Sequence, residues 1–280
     1  MDADESSAAL RAIWGTAAPA WGTHAEYVDT RGAEVAQAMI VAASLSAGDC
    51  VLELACGPGG VGLAAAPIVG PDGAVVLSDF VPEMTAIAAE RATAAGLLNV
   101  TTREIDMEGI DYPDEAFDVV LCREGLMLVA DPSSAVQEAR RIVRPPGRAV
   151  FTVWGPRDRN PWLGILFDAI TAQLGVAIPP PGLPGPFSLE ADGALAELLR
   201  AAGFADVSVR EIPSPMRVGS LDEWWSVVPS LAGPVAQLLA STPAEVSAAI
   251  RSRTEGAMAD FAFADGYELP GVSLLGVGRR

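Results

Sequence analysis

The stretch from Cys50 to Val69 constrains the fold of this chain more than any other. A short apolar run, Cys50-Val51-Leu52-Glu53-Leu54-Ala55, breaks into Cys56-Gly57-Pro58-Gly59-Gly60 and continues through small residues to Val69. That order reads as a buried strand, a tight turn and a helix packed closely on the strand. The pattern then repeats. Residues 74–78 are apolar and end on Asp79. Pro82 stands where a helix begins and Gly96 where it stops, and Met84, Ile87, Ala88 and Ala92 form its inward stripe. Residues 99–105, 117–122 and 149–154 supply three further strands. Between the last two, Asp131-Pro132 starts a helix with Val136, Ala139 and Val143 facing inward. Regular alternation of this kind builds a parallel sheet covered by helices on both faces.

After Trp154 the pattern changes. Residues 155–186 are rich in proline, glycine and aromatics, with one helix expected near 162–174. A helix at 191–202, closed by Gly203, and a strand at 206–212 resume the main fold. Residues 220–258 read as helical and precede a final apolar run at 271–277, which places a helical insertion between two neighbouring strands.

Composition narrows the chemistry. All eighteen basic residues are arginine, so Schiff-base enzymes, a P-loop lysine and Tyr/Lys dehydrogenase pairs are excluded. His24 is the one histidine, and Cys50, Cys56 and Cys122 are dispersed, so no metal site and no disulfide framework is expected. A net charge of −18 argues against nucleic acid and anionic membranes as partners. The arginines at 140, 141, 144 and 148 fall near a helix C-terminus, where the dipole favours cations. No apolar run approaches the ~20 residues that span a bilayer, and the acidic start lacks a signal-peptide plan, so a cytoplasmic location is expected.

Gly57, Gly59 and Gly62 satisfy G-x-G-x-x-G, with Asp79 at the spacing of a ribose ligand. The loop alone fits a dinucleotide or S-adenosylmethionine. Glu53 decides between them, because a carboxylate beside the crevice repels a pyrophosphate and attracts a cationic ligand. Residues 51–60, Asp79 with Pro82-Glu83-Met84, Asp106, Phe117-Asp118-Val119-Val120 and the helix-and-turn from Glu138 to Gly147 occur together in order. In these stretches the chain resembles the class I S-adenosylmethionine-dependent methyltransferases, on the ubiquinone/menaquinone-biosynthesis (type 11) branch, over residues 45–155. Arg144-Pro145-Pro146-Gly147-Arg148 departs from the more usual Pro-Gly-Gly turn.

The resemblance implies a Rossmann-like α/β fold with a seven-stranded sheet, helices on both faces, the last strand antiparallel, and a helical cap. A single domain is then expected, divided into an N-terminal helical lid (1–44), a cofactor core (45–155), remaining core and loops (156–212), the cap (213–268) and the last strand (269–280). It also implies S-adenosylmethionine as cofactor, S-adenosylhomocysteine as product, and the roles of the binding residues. The backbone of Ala55, Gly57 and Gly59 lies under the methionine portion, with Glu53 orienting its ammonium. Asp79 takes the ribose hydroxyls. Phe80 and Met84 pack on adenine, which Asp106 and the Met107 N–H hold. Cys122 and Arg123 lie near the sulfonium. As loop carboxylates, Asp79 and Asp106 have helix capping as an alternative role, and Met84 has core packing.

His24 is the candidate proton acceptor, with a structural role as its alternative. Trp21 and Tyr27, as pocket walls in preference to catalysts, and Met127 are candidate walls of a substrate pocket, and Trp154, Trp162, Trp224 and Trp225 are either further walls or core. The proline-rich segment and the insertion are expected to roof it. The expected reaction is methyl transfer to a small, apolar metabolite by a monomer or homodimer. A cyclase or decarboxylase on the same scaffold, and a noncatalytic S-adenosylmethionine-binding protein, remain alternatives.

Overall fold

The computed structural model describes residues 3–280. Three helices open the chain: α1 (Ala3–Thr23), α2 (Ala25–Arg31) and α3 (Ala33–Ala43). The alternating region follows as β1 (Cys50–Leu54), α4 (Gly60–Val69), β2 (Ala74–Asp79), α5 (Pro82–Ala94), β3 (Val100–Glu104), β4 (Phe117–Arg123), α6 (Pro132–Ile142) and β5 (Val143–Trp154). Then come α7 (Pro161–Leu174), α8 (Ala194–Ala201) and β6 (Ala205–Pro213). The segment before the last strand holds β7 (Met216–Val218), α9 (Leu221–Leu231), α10 (Pro234–Ala240), α11 (Ala244–Met258), β8 (Ala262–Phe263) and β9 (Gly266–Leu269). β10 (Val272–Arg279) closes the fold.

Seven strands form one sheet in the order β3-β2-β1-β4-β5-β10-β6. β1 pairs in parallel with β2 and β4, whereas β10 runs antiparallel to both β5 and β6. The expected mixed sheet with an antiparallel last strand is therefore the one the chain forms. Two apolar clusters cover its faces. One joins Leu52, Leu54, Val120 and Phe151 to α6 and α8; the other joins Val51, Leu77, Leu121 and Val150 to α3 and α4.

Three details differ from the sequence reading. Val143, read as an inward helix residue, instead begins β5 and pairs with Phe117. Its successors explain this: Arg144 precedes a proline and Pro145 lacks an N–H, so α6 cannot continue. The helix read from 191 starts at Ala194, after Gly193 in a left-handed conformation (φ 79°). The inserted segment is also not helical throughout. β7, β9 and β8 form a small antiparallel sheet, too short to show a period of two. Its helices pack with α7 around Trp224, Leu166, Ile170 and Ile250 in a core of their own.

The opening helices divide by where they pack. α3 lies on β5, β6 and β10, whereas α1 contacts α5 on one side and α9 and α10 on the other. α1 thus bridges the sheet domain and the inserted segment. Among the described residues, no helix is long and apolar enough to cross a membrane.

Candidate active site

In a doubly wound sheet the ligand crevice opens at the carboxyl ends of the strands, where the winding reverses. Here that point lies between β1 and β4. A cavity occupies it, walled by the glycine loop, the ends of β2 and β4, helices α1 and α2, and the inserted segment.

The glycine turn has a steric cause. Gly57 and Gly59 have φ of 50° and 89°. A Cβ on Gly59 would come within 2.9 Å of Leu77 Cδ1 and 3.2 Å of Ala88 Cβ, so only glycine lets α4 start this close to β2 and α5. Glu53 fixes the start of α4 from below: its Oε2 accepts the Gly62 N–H at 2.7 Å, and the side chain is buried. Burial pushes this carboxyl up to about 7, against the opposing pull of Arg123 and the Gly62 and Val61 N–H groups. Asp79 ties β2 to the same turn. One oxygen accepts the Gly57 N–H at 2.9 Å and the other the Val81 N–H at 3.0 Å. Burial raises it to about 6.

Phe80, Met84, Met107 and Asp106 extend the wall past the β2 and β3 ends. Arg11 lies 5.6 Å from the centroid of the Phe80 ring, and Asp106 Oδ1 accepts the Glu108 N–H at 2.9 Å. Ala55 lines the cavity at φ 47°, directly beyond β1. Arg123 lines it at the end of β4 and pairs at 3.8 Å with Asp29 of α2. Asp29 also holds Arg91 of α5, whose guanidinium donates to the Pro58 carbonyl at 2.6 Å. The second helix is thereby fastened to the glycine loop.

Trp21, Tyr27, Met127 and Trp154 line the cavity; Trp162, Leu163, Phe167 and the proline-rich segment at 178–186 complete its apolar half. Five candidates lie outside the wall: His24, Gly59, Cys122, Trp224 and Trp225. His24 occupies the junction of α1 and α2. Cys122 is buried, and burial pushes its thiol up to about 12, while the Cys56 thiol also rises, so both are neutral thiols near pH 7. Trp224 is buried among the helices of the inserted segment, and Trp225 stacks with Arg251 at 5.9 Å.

Among the wall residues that the sequence reading did not assign, Arg31 and Glu124 stand out. Arg31, the last residue of α2, lies 4.1 Å from the Trp162 ring centroid and 5.0 Å from that of Trp154, with its buried Nε unpaired. Burial lowers its pKa, opposed chiefly by the charge of Glu124. Glu124 follows β4 with φ 55°. Only the left-handed backbone of Glu124, a rarity away from glycine, would have marked it, and that is invisible in sequence. Two further polar atoms on the wall, Trp21 Nε1 and Tyr27 Oη, are buried without partners. Burial also raises the Tyr27 phenol.

Sheet order and glycine turn together define a Rossmann-like α/β fold of seven strands with the last one antiparallel. Residues 45–159 match the family described as "Methyltransferase domain". The chain is 34% identical over 171 residues to nocamycin O-methyltransferase of Saccharothrix syringae, a match covering 58% of this chain and 60% of that one. It is 31% identical over 129 residues to the ubiquinone/menaquinone biosynthesis C-methyltransferase UbiE of a Marinomonas species, covering 46% of this chain and 51% of that one. The chain thus spans between half and two thirds of these relatives' lengths. Among solved structures, the YcgJ protein of Bacillus subtilis shares the fold with a TM-score of 0.60 at 20% identity, over 88% of this chain and 97% of that one.

Proposed function

We propose that this chain binds S-adenosylmethionine at the polar end of the cavity and transfers its methyl group to a small, apolar metabolite held at the other end. The observation that carries this reading is the junction itself. The glycine loop, Glu53 and Asp79 run without a break into a wall of Trp154, Trp162, Leu163 and Phe167. The polar half fits the cofactor on chemical grounds. Trp21 Nε1, Tyr27 Oη and Arg31 Nε are buried without partners, a costly state unless a ligand supplies them. S-adenosylmethionine carries a carboxylate and ribose oxygens that can.

In this reading Asp79 accepts hydrogen bonds from the ribose hydroxyls while it holds the Gly57 amide. Glu53 holds α4, and the cationic methionine end favours its ionised form when the cofactor is bound. Arg31, stacked on Trp154 and Trp162 where the two halves of the cavity meet, is the cation available to the methionine carboxylate, because Arg123 is already paired with Asp29. Phe80, Met84, Asp106 and Met107 enclose the adenine, and Ala55 and Gly57 pass beneath the methionine. The cofactor supplies an electrophilic methyl group on a sulfonium. The chain's contribution is to align the acceptor, about 3–3.5 Å from that carbon, and to keep water out. α1, bridging α5 to α9 and α10, serves as the cover.

Incubation with methyl-deuterated S-adenosylmethionine and a panel of phenols, enols and carboxylic acids tests the reading. Labelled product and an equal amount of S-adenosylhomocysteine are expected by mass spectrometry. A rearranged substrate without S-adenosylhomocysteine would show a cyclase instead. Cofactor bound but never consumed would show a noncatalytic binder.

A further inference from the structure

Five carboxylates line the cavity: Glu53, Asp79, Asp106, Glu108 and Glu124. Four of them accept backbone N–H groups and so shape loops. Glu53 takes Gly62, Asp79 takes Gly57 and Val81, Asp106 takes Glu108, and Glu108 takes Ala130 and Asp131. Among the described residues, the Glu124 carboxylate takes none. Its partner is the Ser273 hydroxyl, which donates to Oε1 at 2.8 Å from β10.

The placement of Glu124 is equally specific. It follows the last residue of β4, at the reversal point between β1 and β4 where the crevice opens. Its backbone is held by the Thr152 carbonyl of β5, which accepts the Glu124 N–H at 2.9 Å. A left-handed φ of 55° at a non-glycine residue costs energy and persists only where its surroundings enforce it. Gly125 lets this turn pass close to the end of β1, for a Cβ on that residue would lie 2.5 Å from Ala55 Cβ. Arg31 and Tyr27 face the same part of the cavity, and Arg123 precedes Glu124 on the strand.

We propose that Glu124 is the proton acceptor for the methyl-accepting group, with Ser273 as the positioning residue that holds Oε1 and leaves Oε2 for the substrate. This rests on the methyl-transfer reading. As the acceptor oxygen forms its bond to the methyl carbon and the carbon–sulfur bond breaks, the hydroxyl proton passes to Glu124. The sulfur keeps the electron pair and becomes a neutral sulfide, and the proton later leaves Glu124 for water. The acceptor is therefore a neutral hydroxyl or enol that must lose a proton during transfer.

Two probes separate this role from a structural one: 2-naphthol, which is neutral at pH 7, and 2-hydroxy-1,4-naphthoquinone, which is already an anion. Glu124→Gln is expected to lower the methylation rate of 2-naphthol by about 10²- to 10⁴-fold, the range of a general base, and that of the anion less than about tenfold. A second readout needs no turnover. With S-adenosylhomocysteine bound, the anion is expected to bind Glu124→Gln roughly ten times more tightly than wild type by calorimetry, because a like charge has gone. Equal losses on both probes, or unchanged affinity for the anion, would overturn the assignment of Glu124. Wild-type protein that fails to bind S-adenosylmethionine would overturn the underlying reading instead.

Discussion

Glu53 and Asp79 are buried carboxylates whose pKa is raised, and the sign of the consequence is definite. Glu53 keeps its proton in the folded chain up to about pH 7 but loses it in the unfolded chain near its ordinary value of 4.5. Between those values the folded state binds more protons, so Glu53 contributes stability at low pH that is lost as pH rises. Glu53→Gln keeps an oxygen for the Gly62 N–H without the charge. From pH 5 to 7.5 the wild type is expected to lose stability relative to this variant, by roughly 3 kcal/mol at most, in urea titrations. A constant difference across that range would show that Glu53 is ionised throughout. Both carboxylates were legible in the sequence, Glu53 as the one charge inside an apolar strand run and Asp79 as the residue that ends the next run. Arg31 was not: its meaning comes from Trp154 and Trp162, which reach it only in the folded chain.

At the scale of elements, the pair Trp224-Trp225 shows what one sequence can and cannot say. Adjacent residues on a helix point about 100° apart, so α9 cannot turn both indoles into one pocket. Trp224 faces the core of the inserted segment and is fully buried, whereas Trp225 is half-buried at the edge of the same core, beside Arg251. The wall contribution of α9 comes instead from Val228 and Leu231. Trp224→Ala is therefore expected to cost about 3–5 kcal/mol of stability in chemical unfolding. A loss below about 1 kcal/mol would mean that the site collapses around the deletion or that the indole is not packed. The helices of this segment were readable from their composition. The small β7-β9-β8 sheet was not, because strands of two to four residues carry no detectable alternation.

At the scale of the whole molecule, the alternation of strands and helices was enough to read a parallel sheet covered by helices, because parallel βαβ units allow few arrangements, whereas the seven strands and the antiparallel last one were expected only from the family resemblance. What joins the sheet to its cap was not readable, since α1 packs against elements from opposite ends of the chain. The proposed function requires that the cavity at the β1/β4 reversal hold S-adenosylmethionine with Asp79 on the ribose. Asp79 also holds the Gly57 amide, so its loss removes a direct contact and loosens the turn beneath the cofactor. The most direct test is isothermal titration of S-adenosylmethionine into wild type and Asp79→Ala, with circular dichroism to establish that the variant is folded. The prediction is saturable binding to wild type and an affinity about ten- to a hundredfold weaker for the variant, matching the loss of charge-assisted hydrogen bonds worth about 1.5–3 kcal/mol. No binding to wild type, or equal affinity in a folded Asp79→Ala, would contradict it.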